Sequence, residues 1–214
     1  MQNLNKAIVE FIGSYFLIFT IGMIVIQESH LGIGGPLAIF SILVAMVYAG
    51  GPISGGHYNP VVTMAFYFNK SINLFNVFYY LIVQLMGASL AAFTVFKLSS
   101  ISDIKVILPD CAPAFFSEFI FTFALVWVIL HVAVSKRQKD TFWFGLAIGA
   151  VVFAGIISVG TISGGFFNPV VYLGLALIGK VSFSYWWIYL LAQILGGITS
   201  SVIFKYIENT YEPR

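Results

Sequence analysis

Long apolar runs separated by short polar stretches make up most of this chain of 214 residues. A helix needs about 20 mostly apolar residues to cross the hydrocarbon core of a bilayer. Six runs come close to that length or exceed it, and we predict a transmembrane helix for each. These runs are 7–26, 34–50, 75–98, 114–135, 142–160 and 185–206.

Two further stretches, 53–68 and 162–178, are too apolar for ordinary loops and too short to span a bilayer. The first begins ISGGHYNPVV and the second ISGGFFNPVV, 109 positions later. Such spacing indicates a tandem repeat, which we place at 1–105 and 106–214 within a single domain. Each copy holds three predicted spans, and because three is odd the second copy enters the membrane in the opposite orientation. Inverted repeats with interrupted helices indicate a pathway at their interface.

The repeated Asn-Pro pair predicts where each short helix starts. Asn is a good N-cap, and Pro is favoured at the first helical position because its missing N–H would have no helical partner. Asn59-Pro60 therefore begins a helix to about Phe68, and Asn168-Pro169 begins one to about Leu177. Each is roughly 15 Å long, half the hydrocarbon thickness. We expect the two N-termini to meet at the centre of the membrane.

Composition narrows the function classes. With 60% hydrophobic and 8% charged residues, the chain is predicted to be an integral membrane protein. A net charge of +2 gives no basic field for nucleic acid, so we expect no nucleic-acid partner. One cysteine, Cys111, excludes an intramolecular disulfide and a thiolate metal cage. No nucleophile–base pair or metal-ligand cluster occurs in the sequence, so we expect neither an enzyme nor a bound metal or cofactor.

The basic residues predict the orientation of the chain. When the spans alternate, seven Lys and Arg residues fall on one side of the membrane and three on the other, which places both termini in the cytoplasm. The seven are Lys6, Lys70, Lys136, Arg137, Lys139, Lys205 and Arg214, and the three are Lys97, Lys105 and Lys180.

The chain resembles the aquaporin and aquaglyceroporin family of major intrinsic proteins. The resemblance rests on the paired motifs Asn59-Pro60-Val61 and Asn168-Pro169-Val170, on Glu-Phe-Ile-Gly in the first span, and on Gln-x-x-Gly in the third and sixth. It implies an all-α integral membrane fold with six transmembrane helices and two re-entrant half-helices in two inverted repeats. It also implies a passive channel for water and small neutral solutes, assembled as a homotetramer, that excludes ions and protons at the half-helix N-termini.

The resemblance further implies roles for residues around the motifs. Glu10 and Glu118 are expected to accept hydrogen bonds from the backbone of the re-entrant loop of their own repeat. His57 is interpreted as a hydrogen-bonded packing residue, and Gln84 and Gln193 as contacts between helices. The pore-lining carbonyls are expected at Gly55, Gly56, His57, Tyr58, Gly164, Gly165, Phe166 and Phe167.

The sequence departs from the family at the selectivity filter. The four filter positions hold Ile39, Ile156, Gly165 and Val171, and Val171 replaces the usual arginine. An aliphatic filter predicts a wider aperture that admits glycerol, urea, ammonia or hydrogen peroxide as well as water.

Two other functions remain open from the sequence. A secondary transporter also uses inverted repeats and broken helices, although it needs a coupling-ion site at the membrane centre. A junctional or structural membrane protein with a closed pore is the other alternative.

Overall fold

A computed structural model of the chain describes residues 2–26, 32–99, 106–135, 137 and 144–210. The α-helices are α1 Gln2–Ile26, α2 Gly34–Ser54, α3 Pro60–Phe68, α4 Leu74–Leu98, α5 Cys111–Ile129, α6 Phe144–Ser163, α7 Pro169–Ile178 and α8 Trp186–Thr210. A π-helical turn, Leu130–Val134, continues α5, and a 3₁₀ turn, Phe183–Tyr185, precedes α8. With these extensions, six helices in the described ranges are long and apolar enough to cross a membrane, as predicted.

Three transmembrane helices extend past their predicted ends, and α8 continues to Thr210 rather than ending at residue 206. Helix α2 ends at Ser54 rather than at residue 50, and α6 ends at Ser163 rather than at residue 160. The glycines that follow these serines have positive φ, 96° at Gly55 and 93° at Gly164. Their N–H groups bond back to the last helical turn, which is how a left-handed C-cap ends a helix. The glycines that actually end the helices are therefore the later ones.

The half-helices α3 and α7 begin as the Asn-Pro pairs predict. Asn59 Oδ1 accepts a hydrogen bond from Val61 N at 2.9 Å, and Asn168 Oδ1 accepts one from Val170 N at 3.1 Å. Both asparagines are extended N-caps with the proline directly after them. The predicted ends hold to within one residue, because α3 stops at Phe68 and α7 at Ile178.

The helices of the two halves pack in matching pairs. Helix α1 packs on α4, and α5 on α8. A glycine permits each crossing: a Cβ at Gly87 would lie 2.5 Å from Phe11 O, and one at Gly196 would lie 2.5 Å from Phe119 O. The half-helices also reach the opposite half: α7 packs on α4 of the first half, and α3 packs on α8 of the second as well as on α4 of its own half. This exchange brings α3 and α7 together.

The π-helical turn ends beside the last helix. Ser135 Oγ donates to Glu208 of α8 at 3.1 Å, and Arg137 forms an ion pair with the same carboxylate at 2.9 Å. His131 within the turn packs on Trp127, with ring centroids 4.2 Å apart. The two contacts with Glu208 connect the segment after α5 to the end of α8.

Candidate functional site

Both half-helices open onto one cavity of about 750 Å³. Asn59 and Asn168 line it, as do apolar residues of α1, α2, α5 and α6 such as Leu17, Leu43 and Ile148. The cavity wall is therefore largely aliphatic, with the polar groups of the two re-entrant loops along it.

Each asparagine amide bonds to the loop of the opposite half. Asn59 Nδ2 donates to Phe167 O at 3.0 Å, and Asn168 Nδ2 donates to Tyr58 O at 2.9 Å. An amide nitrogen carries two hydrogens. In the part of the chain that the structure describes, the second hydrogen of each amide has no protein acceptor. Two amide donors therefore remain beside the cavity where α3 and α7 begin.

In the first half, the loop before Asn59 is held by a buried carboxylate. Glu10 is 0% exposed, and it accepts hydrogen bonds from His57 N at 2.9 Å and Tyr58 N at 2.8 Å. Ser54 Oγ at 2.7 Å and Gln84 Nε2 at 2.8 Å complete the set. All four partners donate, so the acceptor-only, ionised form of a carboxylate matches this environment.

The second half repeats this arrangement. Glu118 is also 0% exposed and accepts from Phe166 N at 2.9 Å and Phe167 N at 2.7 Å. Ser163 Oγ and Gln193 Nε2 donate to it at 2.8 Å each. Gln84 thus connects α4 to α1, and Gln193 connects α8 to α5. Neither glutamine lines the cavity, in agreement with their interpretation as contacts between helices.

The loops contain strained backbone that the carboxylates hold. Tyr58 has φ 48° and Phe167 has φ 51°, a left-handed conformation that costs a non-glycine residue about 1 kcal/mol or more. Their N–H groups are among those bonded to Glu10 and Glu118. The same conformation places the carbonyl groups of both residues on the asparagine amides.

The four predicted filter positions all line the cavity. Ile39 and Val171 are 7% and 5% exposed, and Ile156 and Gly165 are in contact, since a Cβ at Gly165 would lie 3.2 Å from Ile156 Cα. This part of the cavity contains aliphatic side chains and glycine backbone. All four residues therefore line the same cavity, and their role as a filter remains a prediction.

The eight residues predicted to contribute carbonyls divide into two groups. Six line the cavity: Gly56, His57, Tyr58, Gly164, Gly165 and Phe166. The other two do not: Gly55 follows the end of α2, and the Phe167 carbonyl is bonded to Asn59. Four of the motif residues do not line the cavity and instead form the first turns of α3 and α7: Pro60, Val61, Pro169 and Val170. Val61 also packs on Gly197 of α8.

Four residues that hold the loops were missed in the sequence. Ser54 and Ser163 bond the carboxylates, and the hydroxyls of Tyr80 and Tyr189 each donate to the carbonyl of the matching serine at 2.7 Å. The two serines and the two tyrosines each recur at the repeat spacing of 109 positions. This spacing is the sequence signal by which they could have been identified.

These features define a multi-pass membrane protein in which two half-helices meet beside an internal cavity. The sequence profile of the family described as major intrinsic protein matches residues 1–204. Nodulin-26 of Glycine max is 34% identical over 219 residues, which cover 98% of this chain and 80% of that protein. The glycerol uptake facilitator protein-like 6 of Lactiplantibacillus plantarum is 32% identical over 209 residues, 92% of this chain and 95% of that protein.

The fold is shared with a solved structure. The X-ray structure of the aquaglyceroporin from Plasmodium falciparum superposes with a TM-score of 0.76 and 22% identity, covering 97% of this chain and 96% of that one. The chain belongs to the major intrinsic protein family and has its all-helical membrane fold.

Proposed function

We propose that this protein is a passive channel for water and small neutral solutes, and that it is not an enzyme. The observation that carries the proposal is the pair of asparagine amides at the start of α3 and α7, each with one hydrogen beyond its protein bond. Both amides line the same cavity. A water or hydroxyl oxygen passing there accepts these hydrogens, which replaces hydrogen bonds lost from bulk water.

Ions are proposed to be excluded at the same place. Each half-helix carries roughly half a positive charge at its N-terminus, and both N-termini face the cavity. A cation or hydronium ion meets this potential in an aliphatic surrounding that does not replace its hydration shell. A neutral molecule bears no comparable cost.

The proposed solute range follows from the filter positions Ile39, Ile156, Gly165 and Val171. With aliphatic side chains and no arginine, this part of the cavity accepts glycerol, urea, ammonia or hydrogen peroxide in addition to water. One relative is itself a glycerol uptake facilitator protein-like chain. The carbonyls of the loop residues are proposed to supply acceptors, with Glu10 and Glu118 holding those loops in place.

Stopped-flow measurements on proteoliposomes test this proposal. We expect vesicles containing the protein to change volume under an osmotic gradient faster than protein-free vesicles. They should also equilibrate glycerol and urea faster. Flux should stay linear in solute concentration and independent of ion gradients. Vesicles that remain as tight as protein-free ones, or a saturating flux that requires an ion gradient, would contradict a passive channel.

We also propose the arrangement in the membrane. The inverted repeats are 1–105 and 106–214, both termini lie in the cytoplasm, and four copies assemble into a homotetramer with one pore in each subunit. The cell membrane is the proposed location.

A further inference from the structure

The backbone N–H groups of the second re-entrant loop, residues 164–167, all bond to the protein. Gly164 N donates to Gly160 O at 2.9 Å, and Gly165 N donates to Ser163 Oγ at 3.1 Å. The two N–H groups that follow both bond to Glu118. The loop therefore offers no backbone donor to a molecule in the cavity.

The carbonyl groups of the same loop are in a different position. The Phe167 carbonyl accepts from Asn59. Within the described ranges, no protein group donates to the three carbonyls before it, those of Gly164, Gly165 and Phe166. These three residues line the cavity, and a buried carbonyl is costly unless it has a partner. Their oxygens are therefore available as acceptors to molecules in the cavity.

The four filter positions add no donor beside these carbonyls. We call the part of the cavity that is lined by the filter positions and the second loop the filter arm. The filter side chains are aliphatic at Ile39, Ile156 and Val171, and Gly165 has no side chain. The filter arm thus combines acceptor oxygens with apolar surface.

The polar side chains at this end of the cavity lie beyond the filter positions. Thr161 and Lys180 line the cavity. Thr161 is further along α6 than Ile156 by roughly 7 Å, and Lys180 comes after the end of α7, more than two turns beyond Val171. Neither residue supplies a donor at the level of the filter.

The donors of the cavity are instead at its centre. The amides of Asn59 and Asn168 each have one hydrogen beyond their protein bond. Asn168 precedes Val171 by three residues, or roughly 4–5 Å along the axis of α7. A solute that enters through the filter arm therefore reaches these amides only after it has passed the filter positions.

This arrangement separates neutral solutes by the kind of hydrogen bond they form. A solute with N–H or O–H groups donates to the carbonyls and so recovers part of the bonding that it had in water. A solute that only accepts loses its bonds to water and finds no donor in the filter arm. Leaving such a polar group unpaired in apolar surroundings is costly.

We propose that the filter arm selects small neutral solutes that donate hydrogen bonds, such as amides, ureas and uncharged amines, over solutes of equal size that only accept them. The proposal rests on the proposed channel function and names the chemical class of solute that its filter prefers. Val171 is the specificity-determining residue, because a polar side chain at that position would supply the missing donor.

Permeation of acetamide and dimethyl sulfoxide into proteoliposomes, measured by stopped-flow light scattering, tests this preference. The two molecules have equal numbers of non-hydrogen atoms and one strong acceptor oxygen each, but only acetamide has N–H donors. Rates in protein-free vesicles are subtracted, which leaves the protein-mediated permeability of each solute. We expect acetamide to permeate the unaltered protein about tenfold faster, which corresponds to roughly one unmade hydrogen bond.

Two substitutions of similar size separate the effect of a donor from that of a narrower aperture. Val171→Asn adds an amide donor at the filter, whereas Val171→Leu adds none and is the matched control. We expect Val171→Asn to bring the ratio of acetamide to dimethyl sulfoxide permeability to within about threefold of unity, because the sulfoxide oxygen gains a donor. Val171→Leu should keep this ratio at about tenfold.

A ratio near unity in the unaltered protein would overturn the proposal, and that measurement does not depend on the folding of a variant. Equal ratios in Val171→Asn and Val171→Leu would overturn it as well. Water permeability is measured on the same vesicles. A protein that passes no water would contradict the proposed channel, whereas one that passes water and both solutes equally well would contradict only the preference for donors.

Discussion

The two re-entrant loops share a backbone scaffold but differ in the side chains around it. In both, a buried glutamate accepts from two successive backbone N–H groups, from a serine and from a glutamine. Around this core, the first loop is polar: His57 Nδ1 lies 3.1 Å from Thr63 Oγ1, to which Gln84 Nε2 also donates. The matching residues of the second loop are Phe166 and Tyr172.

In the second loop, an aromatic ring takes the place of the hydrogen-bonded histidine, which itself packs on the rings of Phe66 and Tyr80. Phe166 lies 5.1 Å from the Tyr189 ring, and the Tyr172 hydroxyl donates away from the loop to Ser182 O at 2.6 Å. The comparison teaches that the backbone of the loop depends on the carboxylate and its donors. The layer behind it accommodates either a hydrogen-bonded histidine or a cluster of tilted aromatic rings.

The largest expected effect comes from the element that both loops share. In Glu10→Gln and Glu118→Gln, the amide keeps only one acceptor oxygen, so two of the four buried donors around each carboxylate lose their acceptor, at about 1–3 kcal/mol per group. We expect each variant to lose about 3 kcal/mol in the free energy of unfolding, measured by denaturation in detergent.

The control for this pair is Glu208→Gln, which removes a partly exposed ion pair with Arg137. It should cost less than about 1 kcal/mol. If one glutamate variant were as stable as the parent while the other unfolded, the two loops would not depend on a common support.

A second expected effect tests whether the two loops differ in their influence on solute selectivity. Val171→Arg places a cationic side chain at the proposed filter, and we expect it to raise the ratio of water to glycerol permeability about tenfold, or roughly 1.4 kcal/mol in barrier height. Val62 occupies the matching place in the first loop and also lines the cavity. Val62→Arg should change the ratio less than about threefold.

Stopped-flow swelling with water and glycerol measures both variants, and gel filtration checks that each remains a single folded species. Equal ratios in the two variants would show that solute discrimination is not confined to the second half.

The smallest expected effect tests a single bond that the halves do not share. The Tyr58 hydroxyl donates to Met46 O at 2.8 Å, whereas the matching Phe167 ring packs at Gly155. Tyr58→Phe should therefore cost about 1 kcal/mol in the free energy of unfolding. Tyr67→Phe, at a 44% exposed tyrosine of α3, is the control with no expected cost. A Tyr58→Phe variant as stable as the Tyr67→Phe control would mean that this hydroxyl contributes nothing.

Much of the fold could be predicted because it repeats. Six apolar runs and two Asn-Pro pairs, in matching places, were enough to predict the spans and the helix starts at Asn59 and Asn168. The helix ends were less predictable, because several glycines occur before each loop and only the backbone bonds of Gly55 and Gly164 decide which one ends the helix.

The site could be predicted only in part. The carboxylates were found as charges in apolar spans, but Tyr80 and Ser54 could not be assigned to them, because their pairing depends on how distant helices cross. Lys180 was visible as a loop lysine, but its burial beside the bridge between Ile107 and Val181 was not. Bonds between segments far apart in sequence leave no local pattern.

The mutual bonds of the two asparagines bear on how the protein is made. Asn59 needs the carbonyl of Phe167, and Asn168 needs that of Tyr58, partners 108 and 110 positions away. During synthesis the first half therefore leaves the ribosome before the native acceptor of its central amide has been made, because Phe167 lies in the last third of the chain. The middle of the molecule is completed late, and only when both halves are present in one bilayer.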